Sequence, residues 1–250
     1  MLMPFWIALQ FLTVIPIQLK SMPSARQNAL SCLYYPLVGV IIGLLLFAMA
    51  NLLHALPIMM LSSLILVLWI WLSGGLHLDG LADTADAWVG GFGDPECTLK
   101  IMKDPACGPI GVLSLVVVCI LKWSSIYMLL QQSNLLALIL FPMLGRMVPL
   151  YLFLSTPYVR AQGLGSAMAH TIPKIMAIMI CVIGLSLFGY FSWVGVGCVI
   201  ISILGLMYLR HIFIQRIGGI TGDTVGAAIE LTETLSMLAF VILAVYLPLS

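Results

Sequence analysis

The chain has 250 residues, 62% of them hydrophobic and 8% charged, with a mean hydropathy of +1.18 and a formal net charge of +1. A soluble globular domain is nearer one quarter charged, and this composition lacks the polar residues to cover one. It excludes a soluble globule, gives no ground for a nucleic-acid partner, and predicts an all-α, polytopic integral membrane protein in contact with the lipid bilayer.

A membrane span needs about 20 apolar residues. Phe5 to Leu19 is shorter and ends at Pro16 and Lys20, so it fits an interfacial or re-entrant helix as well as a span. The N-terminus lacks a basic n-region and a small-residue cleavage site, and is not read as a cleaved signal peptide. Leu30 to Leu56 and Pro57 to Leu76 are two spans, separated by His54 and Pro57. Gln27 to Leu78 contains no Asp, Glu, Lys or Arg. The character then changes, because Asp79 to Gly108 holds six of the nine acids. Apolar sequence resumes from Pro109 to Leu130, with Lys122 inside it, and from Leu135 to Leu154, with Arg146 inside it. A polar loop with Arg160, Gly163, Gly165 and His170 follows. Ile175 to Tyr190 and Trp193 to Leu209 are two more spans. A second polar island runs from Arg210 to Glu233, and the last span is Leu235 to Leu249. The expectation is one domain over residues 1–250, with about seven membrane helices and an acidic site near one membrane face. No internal repeat is visible. The six cysteines form no C-x-x-C pair, which argues against zinc.

All nine acids lie in two windows, 79 to 104 and 223 to 233. Asp79, Asp83 and Asp86 are spaced i, i+4, i+7 and share one helix face. Carboxylates stacked this way repel, and more strongly at low dielectric. A divalent cation relieves such repulsion, and hard oxygen donors without cysteine favour magnesium, manganese or calcium. His77 is a further ligand or an orienting partner. Three ordinary solvated acids would be flanked by Lys, Glu, Gln or Ser. Here the neighbours are Gly, Ala and Leu, and small residues let helices and ligands approach closely. In the second window, Asp223 and Glu230 share a face stripped to backbone by Gly226 and Ala227. Thr221 or Asp223 caps the helix start, leaving the amides of Gly222 to Thr224 available to an anion. Lys100, Lys103, Arg146, Arg210 and Arg216 flank the acids. Arg146, inside an apolar span, is a functional candidate by its setting alone, whereas Lys122 is expected to snorkel or pair. Carboxylates holding a divalent metal among Arg and Lys suit phosphoryl chemistry.

The stretch G-G-L-H-L-D-G-L-A-D-T-A-D-A (Gly74 to Ala87) closely resembles the signature of the adenosylcobinamide-GDP ribazoletransferase (cobalamin synthase) family. Ile101 to Gly111, Gly145-Arg146 and Gly218 to Glu230 resemble further family segments in the same order. Pro105 and Pro109 depart from the pattern of the loop segment. The resemblance covers nearly the whole chain. It implies a membrane enzyme that joins adenosylcobinamide-GDP to α-ribazole or α-ribazole 5′-phosphate, releases GMP and requires magnesium. Under that resemblance Asp79, Asp83 and Asp86, with Asp104 and Asp223 as further candidates, hold magnesium. Lys103, Arg146, Arg216 and the Gly222 amide face the phosphates or cofactor. Asp83 or Glu230 is the catalytic group taking the proton. It also implies the bacterial inner membrane, with the active site facing the cytoplasm. A homo-oligomer is compatible with the sequence but not specified by it. Two rivals are an ion-coupled transporter using the acids as a cation path, and a CDP-alcohol phosphotransferase-like enzyme. The second is disfavoured because the D-G-x-x-A-R motif is missing.

Overall fold

In a bilayer only a helix satisfies every backbone polar group within one segment. The computed structural model, which describes residues 3–19, 21–160, 165, 168 and 171–247, is accordingly built from helices. Its single β-type contact among the described residues is the isolated parallel bridge between Tyr158 and Ile220. The helices are α1 (Met3–Leu12), α2 (Ala25–Ser31), α3 (Tyr35–Leu52), α4 (Ile58–Leu72), α5 (Leu76–Gly90), α6 (Pro95–Ile101), α7 (Pro109–Gln131), α8 (Ala137–Ser155), α9 (Lys174–Ser186), α10 (Ser192–Ile217) and α11 (Gly222–Tyr246). Gly163, His170 and Leu249 lie outside the described residues.

Five helical stretches are long and apolar enough to cross a membrane, or six if α4 and α5 form one broken span. One of the five is a 44-residue run, Lys174–Ile217. A straight helix of that length would reach about 66 Å, twice the hydrocarbon thickness. It is in fact broken by a 3₁₀ turn, Leu187–Phe191, and by Ser192 at φ 51°. The structure thus offers five or six candidate spans where about seven were expected. The first apolar segment yields only the ten-residue α1, too short to span. The second polar island is also helical. The chain is helical up to Ile217 and again from Gly222, so Glu230 and Glu233 sit within a spanning helix.

Two features position the acidic face. First, α5 turns 86° away from α4 at Gly74 and Gly75, whose φ values are 62° and 68°. Both are left-handed conformations that only glycine adopts without strain. Because of this bend α5, with its aspartates, leaves the direction of the α4 helix. Second, α3 presses its backbone onto α8. A Cβ added at Gly43 would lie 2.5 Å from the Ile139 Cα, so the small-x-x-x-small spacing of Gly39 and Gly43 permits the contact. This holds Arg146 at the middle of α8 against the bundle.

Charge is distributed on one side only. The connections 53–57, 132–136 and 187–191 contain no Lys, Arg, Asp or Glu. Lys100, Lys103, Arg160, Lys174, Arg210 and Arg216 all belong to the ends and loops on the side of α5. Contacts join that side: Arg210 Nε donates to Thr156 Oγ1 at 3.0 Å, and Arg216 Nε donates to Thr98 Oγ1 at 3.2 Å.

A Cβ at Gly75 would meet nothing within 4 Å, so Gly75→Ala tests backbone strain alone. It is expected to cost about 1–2 kcal/mol. In a thermal melt of the detergent-purified protein the midpoint should fall by about 2–4 °C per kcal/mol.

Candidate active site

The site forms where the N-terminal turn of α11 crosses α5. Gly80 faces the Asp223 backbone so closely that a Cβ there would lie 2.8 Å from its carbonyl oxygen. One turn on, a Cβ at Gly226 would sit 3.3 Å from the His77 Cα. Glycine on both helices therefore brings Asp223 beside Asp79 and Asp83. Thr221 caps α11, accepting from Thr224 N, while Thr224 Oγ1 accepts from Thr221 N. Asp79 and Asp223 each lie in the first turn of a helix, where the positive end of the dipole favours a carboxylate. Arg160 Nη2 donates to Asp223 Oδ2 at 2.6 Å. The Arg160 segment is held in place by backbone pairing of Val159 N with Ile220 O and of Ile220 N with Pro157 O, both 2.9 Å.

The three aspartates of α5 differ in what they touch. Asp86 accepts from the backbone amides of Gly108 at 2.6 Å and Gly111 at 2.8 Å, which anchors the loop entering α7. A Cβ on Gly108 would lie 2.6 Å from the Asp86 carboxylate, so the glycines of that loop exist to admit it. Asp79 and Asp83 make no such bonds. Burial pushes the Asp83 carboxyl up to about 6, with Asp79 and then Asp223 adding repulsion and Arg160 opposing it. The groups around Asp79, Asp83 and Asp223 thus hold more negative charge than the single Arg160 offsets. Among the described residues no three His, Cys, Asp or Glu side chains stand close enough to hold an ion by themselves. Magnesium, however, is commonly bound through one or two carboxylates completed by substrate phosphates. Two of Asp79, Asp83 and Asp223 would make up that donor set.

Below the aspartates a cleft of about 230 Å³ opens between α5, α8 and α11, with Asp79, Gly222 and Asp223 along its lining and Arg146 and His77 deeper in. Arg146 is fully buried and its Nη1 donates to Glu233 Oε1. Gly145 leaves the room this carboxylate occupies. Lys122 Nζ contacts Glu230 Oε2 and Glu233 Oε2, each at 2.6 Å, and lies 4.7 Å from the centroid of the Trp69 ring. Lys122 therefore pairs, as expected. Glu233, which the sequence did not single out, is the carboxylate that bridges the two cations. Glu230 turns to Lys122 and a small cavity beside Trp69 and Ser73, and does not line the cleft. Arg216 is engaged elsewhere, donating to Trp88 O and Thr98 Oγ1 and stacking over Trp88 at 5.5 Å. Lys103 and Asp104 stand exposed on the turn after α6, where Asp104 Oδ1 accepts from Ala106 N at 3.0 Å. The structure thus gathers Asp79, Asp83, Asp223 and Gly222, places Arg146 beneath them, and does not bring Glu230, Arg216, Lys103 or Asp104 into the cleft. Arg160 was passed over because a loop arginine carries no sequence signal for its partner.

These features define a polytopic helical membrane protein whose carboxylates gather at one face above a small buried cleft. The chain belongs to the cobalamin-5-phosphate synthase family, whose model matches residues 4–241. It is 58% identical over 244 residues to a protein of Acinetobacter baumannii named adenosylcobinamide-GDP ribazoletransferase, covering 98% of this chain and 99% of that one. Proteins of the same name from Pseudomonas fluorescens and Pseudomonas putida are 47% identical over 240 residues and 48% over 235. These alignments cover 95% and 93% of this chain, and 98% and 95% of the relatives. No solved structure matches.

Two predictions follow from the site. Glu233→Gln leaves Arg146 and Lys122 short of countercharge, and removing one partner of a buried pair costs about 3–5 kcal/mol. The variant should show a lowered thermal midpoint and lowered yield of folded protein from membranes. The second concerns pH. Asp83 is held above its ordinary value of 3.8, so it is protonated below about 6 and ionised above. A divalent ion must displace that proton. Manganese affinity, measured by titration calorimetry, should be flat above pH 6 and should weaken by up to about tenfold per unit below it.

Proposed function

We propose that the protein joins adenosylcobinamide-GDP to α-ribazole, or to α-ribazole 5′-phosphate, with release of GMP, in the cytoplasmic membrane and with magnesium. The protein is a transferase of the cobalamin nucleotide-loop step, as its family membership implies. The observation that carries the chemistry is the close crossing of α5 and α11, which sets Asp79, Asp83 and Asp223 together above a cleft sized for a small molecule.

In this reaction a ribose hydroxyl oxygen of α-ribazole attacks the phosphorus that bears the cobinamide. The bond from that phosphorus to the bridging oxygen of the pyrophosphate breaks, and the electron pair leaves with GMP. Asp79 and Asp223, with Asp83 beside them, would hold magnesium, which would supply countercharge to the pyrophosphate. Asp83, pushed up to about 6, is a stronger base than an ordinary aspartate yet ionised at neutral pH, and is suited to take the hydroxyl proton. Arg160 orients Asp223. Asp86 fixes the loop ahead of α7 and so holds the far end of α5 in place. Asp79 and Asp223 lie in the first turns of their helices and not at mid-helix, which disfavours the transporter reading.

The cytoplasmic orientation rests on the one-sided charge. The short connections at the opposite end carry no Lys or Arg, while those on the acidic side carry Lys100, Lys103, Arg160 and Lys174. Cytoplasmic loops are the ones enriched in Lys and Arg, and nucleotide substrates are made on that side.

Purified protein in bilayer discs, given adenosylcobinamide-GDP, α-ribazole and magnesium, is expected to release GMP and form the joined cobamide in equal amounts. Chelation of magnesium should abolish the reaction. Asp83→Asn should lower turnover by about 10²–10⁴-fold. Absence of GMP release by the wild-type protein would overturn the assignment.

A further inference from the structure

Resting on the transfer reaction proposed above, we infer that the cleft beneath Asp79 and Asp223 is the acceptor subsite. It takes the flat apolar base of α-ribazole, a benzimidazole, with the free ring nitrogen turned toward Arg146. The reaction brings together three chemically distinct pieces: a corrinoid macrocycle, a guanine nucleotide and a benzimidazole nucleoside. A cleft of about 230 Å³ does not admit the macrocycle. Guanine carries several donors and acceptors on its edges, and each would need a partner once buried. Apart from Asp79, Asp223, His77 and Arg146, the walls are largely Phe11, Tyr35, Phe153, Tyr158, Val225 and Ile229. The rings stand in pairs, Phe11 stacked on Tyr35 at 6.1 Å and Phe153 tilted against Tyr158 at 6.0 Å. Benzimidazole suits such walls, since two fused apolar rings fill aromatic surroundings well.

The polar groups deep in the cleft make the match specific. Arg146 is fully buried, and Glu233 occupies only its Nη1. Among the described residues its Nε and Nη2 have no hydrogen-bond partner, and neither does Nδ1 of the buried His77. Buried donors left unpaired are rare in folded proteins. Benzimidazole offers one acceptor, the ring nitrogen not bonded to ribose, which is what a lone buried donor edge needs. Glu233 fixes the guanidinium, so that edge is oriented before any ligand arrives. A base lodged this way leaves its ribose toward Asp79 and Asp223, where the attacking hydroxyl is required.

The test uses the whole enzyme in bilayer discs. Ile229→Phe adds bulk to the cleft wall, and Phe11→Ala removes an aromatic wall from the half-exposed end of α1. Neither residue carries a charge or binds the nucleotide in the proposed mechanism. KM is measured for both substrates, and the Kd of radiolabelled α-ribazole by equilibrium dialysis without the corrinoid. Ile229→Phe is expected to raise the KM and Kd for α-ribazole at least tenfold, and Phe11→Ala at least threefold, with the KM for adenosylcobinamide-GDP within twofold of wild type. If Ile229→Phe does not fold, the Phe11→Ala result decides. An unchanged α-ribazole KM in an active variant, or a rise confined to adenosylcobinamide-GDP, overturns the subsite while leaving the transfer reaction standing. A wild-type enzyme that releases no GMP sinks the transfer reaction instead.

Discussion

Four charges buried at the level of the spanning helices set the terms for the rest of the structure. Lys122 on α7, Arg146 on α8, and Glu230 and Glu233 on α11 are almost wholly hidden, and each would be prohibitively costly there alone. Paired, they sum to zero. Glu233 is the pivot, since it touches both cations and so fastens α7, α8 and α11 to one another. A buried ion pair adds little net stability over a well-packed apolar pair, but removing one member is severe. The pairs tie the rotations of α7, α8 and α11 to one another. Those rotations also decide which faces of α8 and α11 look into the cleft.

The layer above is the opposite case. Asp79, Asp83, Asp86 and Asp223 meet at the mouth with only Arg160 paired among them. Two helix dipoles and two loop amides moderate the repulsion without neutralising it. The excess shows in Asp83, driven upward by burial and by its acidic neighbours. The fold balances its buried charges closely, yet leaves this cluster unbalanced at its rim, a few residues away on α11.

Much of this was legible in the sequence, and the remainder was not for definable reasons. Composition and the i, i+4, i+7 spacing revealed the membrane class and the shared face of Asp79, Asp83 and Asp86, because both depend only on local periodicity. The stripped face around Gly226 correctly implied a close approach. What the sequence could not disclose was which groups pair across the bundle. Glu233 looked like one more acid in a polar island, outside the span expected to begin at Leu235. A helix carrying Asp223, Glu230 and Glu233 becomes apolar only after Lys122, Arg146 and Arg160 have neutralised it. Arg216 looked available to phosphate for the same reason, until the carbonyl of Trp88 claimed it.

The three aspartates that share one face end with different tasks, and the difference lies in their partners. Asp86 has both oxygens occupied by the amides of Gly108 and Gly111, so its geometry is spent on the loop. Asp79 and Asp83 retain open lone pairs, and Asp79 faces the cleft while Asp83 does not. If the ribose enters from the cleft, Asp79 meets it first, beside Asp223. Asp83, one turn further along α5, meets the pyrophosphate side. A proton leaving the ribose hydroxyl then passes toward Asp83 only if that hydroxyl is already past Asp79, at the phosphorus. Burial first, and then repulsion from Asp79 and Asp223, raises the proton affinity of Asp83, the group farther from the cleft.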